Sequence, residues 1–137
     1  MNAGNYIYAK LTATAGVTAL VSTRVYPVLM PQNAAYPAIV YSVSNRPLDA
    51  NMKDRAAYHD QATVSFNFWA DIQFGQDAYT SLDAIDAAVR TALDFVAATA
   101  GSVTVETCKY LGSEDVFSED RLLIGRAATY QMTIKNT

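Results

Sequence analysis

Hydrophobic and polar positions alternate with a period of two in several parts of the chain, as in β-strands that bury one face. The clearest alternation covers residues 62–70, and two more cover residues 38–44 and 123–135. Shorter extended segments are predicted at residues 24–27, where Pro27 suits an edge strand, and from residue 103 onward. Trp69 stands on the otherwise polar side of strand 62–70, where an aromatic residue usually covers a second helix or an oligomer interface.

Helical spacing of apolar residues predicts two helices and one additional helical turn. The first helix is expected over residues 4–14, with Tyr8, Leu11 and Ala15 on one side and Gly16 as its stop. A short turn is expected over residues 17–22. The second helix is expected over residues 76–98 and ends before Gly101; its apolar stripe consists of Leu82, Ile85, Val89, Leu93 and Val96.

Two polar segments separate these elements and are predicted to be loops. Residues 45–60 form a long segment of mixed charge, and connections of that length are uncommon and often functional. Residues 112–120 are acidic and carry an apolar tip at Val116 and Phe117. We expect both segments to be available for contacts with a partner.

The order of elements (helix, strands, helix, strands) favours an α+β fold in one small domain that spans residues 1–137. We expect a mostly antiparallel sheet with two helices packed on one face. The other face would carry threonine, serine and tyrosine, and would be free to meet water or a partner.

Composition excludes several classes of function. The chain has 137 residues, of which 51% are hydrophobic, so a well-packed core is expected. Its net charge of −3 disfavours a protein that coats duplex DNA. No apolar run reaches the roughly 20 residues that cross a bilayer, so no membrane association is expected. The one cysteine cannot form an internal disulfide, and the one histidine rules out a multi-histidine metal site.

Candidate catalytic residues are few, and each has a simpler explanation. His59 and Asp60 are adjacent where a strand is expected to begin and would point to opposite faces, so a solvated loop histidine is the favoured interpretation. Cys108 is expected to be a small buried hydrophobic residue. The acidic segment does not have the spacing of a calcium-binding loop. With no phosphate loop or hydrolase motif either, we expect no enzymatic activity, no cofactor and no metal.

Aromatic residues are abundant and point to a protein-binding surface. Tyrosine and tryptophan are enriched at protein interfaces because they bury a large area at low entropic cost. Several tyrosines cluster around the turns and the long polar segment. The residues predicted to take part in interactions are Trp69, Tyr26, Tyr36, Tyr58, Arg46, Arg55 and Phe117.

A short sequence pattern resembles a known family. It consists of Arg24-Val25-Tyr26-Pro27, then Pro31-Gln32, Tyr36-Pro37 and Val40-Tyr41, and it follows the segment Gly16–Val21. In this pattern, and in the order of its elements over nearly its whole length, the chain resembles the tail completion or tail terminator proteins of tailed phages and prophages.

The resemblance implies a structural role in the virion. Such proteins form rings, generally hexameric, that cap the head-proximal end of the tail tube and stop its polymerisation. The implied partners are further copies of the chain, the tail tube protein and a head or neck connector protein. DNA would pass through the lumen without specific binding, and assembly would take place in the cytoplasm of the host bacterium.

Two alternatives remain open at this stage. The first is a small α+β ligand-binding module or enzyme subunit, which would require a concave apolar pocket with convergent polar groups. The second is another protein of the phage neck, such as a head-completion protein.

Overall fold

The computed structural model describes residues 3–29, 31, 35–47, 59–71, 75–118 and 123–135. Within these ranges the chain forms three helices and six strands. The helices are α1 (Ala3–Ala13), α2 (Ala15–Val21) and α3 (Gln76–Leu93). The strands are β1 (Val25–Pro27), β2 (Ala38–Pro47), β3 (His59–Asp71), β4 (Ala98–Ala100), β5 (Val103–Ser118) and β6 (Leu123–Lys135).

The six strands form one sheet in the order β1-β2-β3-β6-β5-β4. Strand β1 runs parallel to β2, and the other four pairings are antiparallel. The α+β class is therefore confirmed. The expectation of a mostly antiparallel sheet with two helices needs correction, because the sheet is mixed, it curls into a half-barrel, and a third helix is present.

The core lies between the helices and one face of the sheet. The alternation predicted for β3 and β6 is confirmed, since Phe66, Phe68, Tyr130 and Met132 are all fully buried. The rings of Phe66 and Tyr130 meet edge to face with centroids 5.5 Å apart, a favourable geometry for aromatic pairs. Cys108 is also buried, as expected for a free cysteine that acts as a small hydrophobic residue.

The first helix presents a different side to the core from the one predicted. Tyr6, Ile7 and Leu11 are fully buried, whereas Tyr8 is 46% exposed. The register is set by the sheet beneath the helix, and the weak amphipathic pattern of residues 3–13 does not fix it. The short turn predicted over residues 17–22 is helix α2, which is anchored by the buried Val17 and Val21.

Helix α3 ends five residues before the predicted end, at Leu93. Asp94 adopts an extended backbone conformation, and Phe95 has a φ of 59°. Both residues bond to β5: the Phe95 amide donates to the Cys108 carbonyl at 2.9 Å, and Asp94 Oδ1 accepts from the Tyr110 amide at 3.0 Å. These bonds replace the next helical turn, and Ala98, the last residue of the predicted helix, begins β4 instead.

Both predicted loops are partly strand. Strand β2 continues to Pro47, and β3 begins at His59, so only residues 48–58 of the long polar segment lie outside the described residues. Strand β5 continues through the acidic segment to Ser118. One of its carboxylates, Asp115, lies opposite Arg126 of β6, which offsets its charge, and Glu114 is exposed. His59 is likewise a strand residue, with Nε2 2.9 Å from Glu106 Oε2, and is not a solvated loop histidine.

Candidate interaction surface

The face of the sheet that the helices do not cover is polar over most of its area and apolar at one end. Ser42, Ser44 and Ser65 are exposed in its polar part. At the other end, Trp69 lies beside an apolar group that we call the Trp69 patch. It consists of Trp69, Val28, Leu29, Val40 and Leu123, which together line a surface groove of about 240 Å³ with Asn67 and Ser118.

The position of Trp69 depends on the residue opposite it. Trp69 pairs with Gly125 of β6, and a Cβ built on Gly125 would lie 2.6 Å from Trp69 Cε3. The indole therefore occupies the space above β6 that any larger residue would fill. Trp69 is half-buried there, and it lines the groove.

Two exposed apolar residues form the rim of the patch. Val28 is 67% exposed and Leu29 is 79% exposed, directly after β1. Val28 has a φ of 62°, a strained value for a β-branched residue, and its amide donates to the Tyr41 carbonyl at 2.7 Å. Strain of this kind is commonly found where the surrounding structure holds a segment for function.

The predicted interaction residues do not form one cluster. Tyr26 is half-buried and pairs with Val40, next to the Trp69 patch. Tyr36 lies instead in a groove of about 240 Å³ with Pro37, Ala70 and Ala78, at the start of α3.

The remaining predicted residues lie elsewhere. Phe117 is 68% exposed near the end of β5, where it pairs with Ile124. Arg46 is exposed at the opposite end of the sheet, with Nε 2.6 Å from Gln61 Oε1. Tyr58 and Arg55 lie outside the described residues.

Sequence reasoning missed the rim of the patch and a second exposed aromatic residue. Val28 and Leu29 lie between Pro27 and Pro31 in a segment rich in turns. Because turns lie at the surface, the two prolines indicate that these apolar residues are exposed. Phe95 is 84% exposed and was missed because the prediction placed it within the helix. Only the early end of α3 reveals its exposure.

A buried arginine ties α3 to the β5–β6 hairpin. Arg126 is 8% exposed, and its guanidinium binds three carboxylates: Asp83, Asp86 at 3.8 Å and Asp115 at 3.3 Å. Its Cζ also lies 5.1 Å from the centre of the Tyr79 ring, whose hydroxyl donates to Asp115.

Burial and the neighbouring charges together shift two pKa values in this cluster. Burial would lower the pKa of Arg126, but its hydrogen bonds and ion pairs with Asp83 and Asp115 raise it, so the residue stays charged. Burial raises the pKa of Asp86, and Arg126 and Arg90 offset that effect only in part. The cluster therefore holds α3 against the β5–β6 hairpin, and burial makes the ionised form of Asp86 unfavourable.

The described residues offer little for catalysis. They contain no group of three or more histidine, cysteine or acidic residues arranged to hold a metal ion. Burial raises the pKa of the Cys108 thiol to about 12, which makes it a poor nucleophile. None of the helices in the described ranges is long and apolar enough to span a membrane.

Two comparisons with known proteins found a match, one in fold and one to a family model. In fold, the chain is similar to a chain from the virion of a native gene transfer agent particle, with a TM-score of 0.73 and 19% identity over 95% of this chain and 92% of that one. No curated protein matches the chain in sequence. The family model described as "Tail completion protein gp17" matches residues 5–135. This match spans nearly all of the sequence, and the chain therefore belongs to the tail completion protein gp17 family.

Proposed function

We propose that this protein forms a ring that caps the head-proximal end of a phage tail tube, ends tube polymerisation and joins the tail to the head. The observation that carries the proposal is the family match over residues 5–135, since members of this family are structural components of phage tails. The protein would reside in the virion, after assembly in the bacterial cytoplasm.

The structural similarity to a virion chain supports the same role. The similar chain belongs to a gene transfer agent particle, and the match covers almost all of both chains. Its partners would be other proteins of the tail and head. We assign the tail tube protein to one side of the ring and a head or neck connector protein to the other.

The dimensions of the chain are compatible with a ring around DNA. A chain of this length has a radius of gyration of about 14 Å, which corresponds to a globule roughly 37 Å across. Six such globules in a closed ring leave a hole of about the same width, enough for a duplex. The net charge of −3 gives phosphate little attraction to the lumen, so DNA would slide without specific binding.

The Trp69 patch is the surface that we assign to contact with a neighbouring virion protein. Isolated exposed apolar residues are common, but a contiguous group with a tryptophan at its centre is typical of interfaces. Its exposed rim, Val28 and Leu29, would be buried in that contact.

A tube-assembly assay tests the proposal. The tail tube protein of the same phage is polymerised alone and with increasing amounts of the chain, and tube lengths are measured by negative-stain electron microscopy. We expect shorter tubes with ring-shaped density at one end. Unchanged tube lengths, with no protein at the ends, would refute the terminator role.

Light scattering across a concentration series measures the mass of the chain alone. A mass that fits a closed ring, together with a central hole in negative-stain images of the same sample, supports the proposal directly. A chain that stays monomeric both in solution and at tube ends contradicts it.

A further inference from the structure

Two strands of the sheet have open edges, one on each side of the molecule. Strand β1 pairs with β2 only at Ile39–Tyr41, so residues 42–47, which pair with β3 on one side, have no strand on their other side among the described residues. On the other side, β4 pairs with β5 only at Val103–Val105. Bonds from Asp94 and Phe95 cover β5 as far as Tyr110, and residues 111–118 are then open within the described part of the chain.

Open edges of this length are unusual in a protein that stays monomeric. Unpaired backbone groups are a template for pairing with another strand, and proteins usually block them with charged side chains, proline, a β-bulge or a covering element. Residues 111–118 contain no lysine or proline, and the register shift lies at the start of the segment, between Tyr110 and Gly112. Asp115 binds Arg126 of the same chain, so Glu114 is the charge that a partner strand has to match. The edge is therefore available for pairing with a strand of a second molecule.

The two open edges complement one another in length and direction. Strands β2 and β5 run in opposite directions in the sheet, so a neighbouring copy in a ring would place its β5 antiparallel to β2. If Arg46 lies opposite Glu114 of the neighbour, Ser42 lies opposite Ser118. The pairing then ends where β1 begins, and the added strand does not clash with β1.

The charges of the opposed residues, and the face of the sheet on which they lie, are consistent with this register. Arg46 and Glu114 are both exposed, and both belong to the face of the sheet that the helices leave uncovered. Opposite charges on directly paired positions stabilise a strand pair. Self-pairing of β5 about its centre would instead bring Glu114 and Asp115 near their own copies, and self-pairing of β2 about Ser44 would place Arg46 opposite Ser42, without an opposite charge.

The stagger required by this register matches a closed barrel. Arg46 pairs with Gln61 of β3, which in turn pairs with Thr133 of β6. Glu114 pairs with Ala127 of β6, which lies six residues before Thr133. Six residues correspond to about 20 Å along the strands, and the step from β2 to the next copy's β2 crosses four strand spacings, about 19 Å. The resulting strand tilt is about 45°, at the upper end of the range of about 35–45° found in closed barrels.

We propose that neighbouring copies of this chain join edge to edge, with residues 42–46 of β2 antiparallel to residues 114–118 of the next copy's β5, so that the sheets form one continuous wall around the lumen. The inference rests on the proposed ring and adds which strands close it. Each open edge would thus be covered by a strand of a neighbouring copy of this chain.

Disulfide cross-linking tests the pairing. In a Cys108→Ala background, Ser44→Cys combined with Val116→Cys places two thiols on directly opposed residues of the same face, within the geometry that a disulfide needs. After oxidation we expect a ladder of covalent multimers that ends at the size of the ring. Each single variant should stay as one chain, and an equimolar mixture of the two should stop at dimers.

Matched variants separate the possible results. Ser65→Cys with Val116→Cys is the control, because Ser65 lies on an internal strand of the same face and should not cross-link. Pairing Ser44→Cys with Glu114→Cys or with Ser118→Cys tests registers shifted by two residues. Dimers from Val116→Cys alone would show two-fold pairing and overturn the proposal.

The experiments separate the edge pairing from the formation of the ring itself. A ring that is visible by light scattering and microscopy but yields no cross-link in any register overturns the edge pairing and leaves the ring intact. A chain that forms no ring in solution or on tube ends overturns both.

Charge reversal provides an independent readout. Glu114→Lys should raise the concentration required for assembly about tenfold, because it places like charges opposite one another. Adding Arg46→Glu to the same chain should restore assembly. A double variant as defective as the single one would contradict the proposed register.

Discussion

The indole of Trp69 occupies the space that a side chain at position 125 would need. The two residues are paired across β3 and β6, and a Cβ on Gly125 would lie 2.6 Å from Trp69 Cε3. A glycine on β6 thus lets a tryptophan lie on the sheet and line an apolar groove. The surface that we assign to a virion partner depends on this pair.

Gly125→Ala should move the Trp69 ring and destabilise the fold by about 1–3 kcal/mol, the usual cost of overpacking. Urea unfolding measures the loss. Trp69 is the one tryptophan in the sequence, so its fluorescence reports the displacement directly. Gly16→Ala is the control: it lies in α2 with no atom near its added Cβ, and it should stabilise the chain by about 0.5–1 kcal/mol. Equal effects at both positions would contradict the role of Gly125.

Arg126→Met should lower the free energy of unfolding by about 1.5–3 kcal/mol, because charge-assisted hydrogen bonds to Asp83 and Asp115 are lost. Arg90→Met is the comparison, since the Arg90 side chain is 54% exposed and pairs with Asp94, the residue directly after its helix. That pair should contribute less than about 1 kcal/mol. Denaturant titration of both variants at neutral pH checks the ranking.

Asp86→Asn should stabilise the protein at pH 7. Burial raises the pKa of Asp86 above its ordinary value of 3.8, so the folded state binds this proton more tightly than the unfolded state does. The free energy of unfolding therefore falls as the pH rises from 3.8 through the folded pKa. Asn does not ionise, so the variant keeps the stability that the native protein loses over this pH range. Its higher free energy of unfolding should disappear below pH 3.8, where Asp86 is protonated in both states.

Urea midpoints between pH 3 and 7 measure the effect. Asp83→Asn should have the opposite sign at pH 7, because that exposed carboxylate binds Arg126 without a comparable burial cost. A loss of stability in Asp86→Asn at neutral pH would contradict the prediction.

The Cys108 thiol should resist alkylation in the native protein. It is 2% exposed, and burial raises its pKa to about 12, so the reactive thiolate is scarce at neutral pH. Iodoacetamide labelling followed by mass spectrometry should show modification only after denaturation. Rapid labelling of the folded chain would indicate that β5 opens readily.

Leu29→Ser should weaken binding to tube ends or to the neighbouring virion protein and leave the fold unchanged. Leu29 is 79% exposed, so its replacement should change the stability by no more than about 0.5 kcal/mol. Ser65→Ala, on the same face but outside the Trp69 patch, is the control. Full capping activity in Leu29→Ser together with Trp69→Ala would exclude the patch as the contact surface.

Sequence reasoning was most accurate where a strand has one fully buried face. The inward positions of β3 and β6 were predicted correctly because alternation is a local property of extended backbone. The family was also predicted correctly from a short pattern around Tyr26 and Tyr36, and the match over residues 5–135 confirms it. The interaction residues stay a prediction, and the structure distributes them over separate surfaces.

The sequence by itself determined the long helix α3, the central strands with their buried faces, and the family, because each of these depends on the pattern of neighbouring residues. The tertiary structure decided where the elements end and which edges stay open. Helix α3 stops at Leu93 because Asp94 and Phe95 bond to β5, and the acidic segment extends β5 because Arg126 offsets Asp115. These contacts join residues 11 to 16 positions apart, and no local pattern shows which distant group will supply the missing bond or charge.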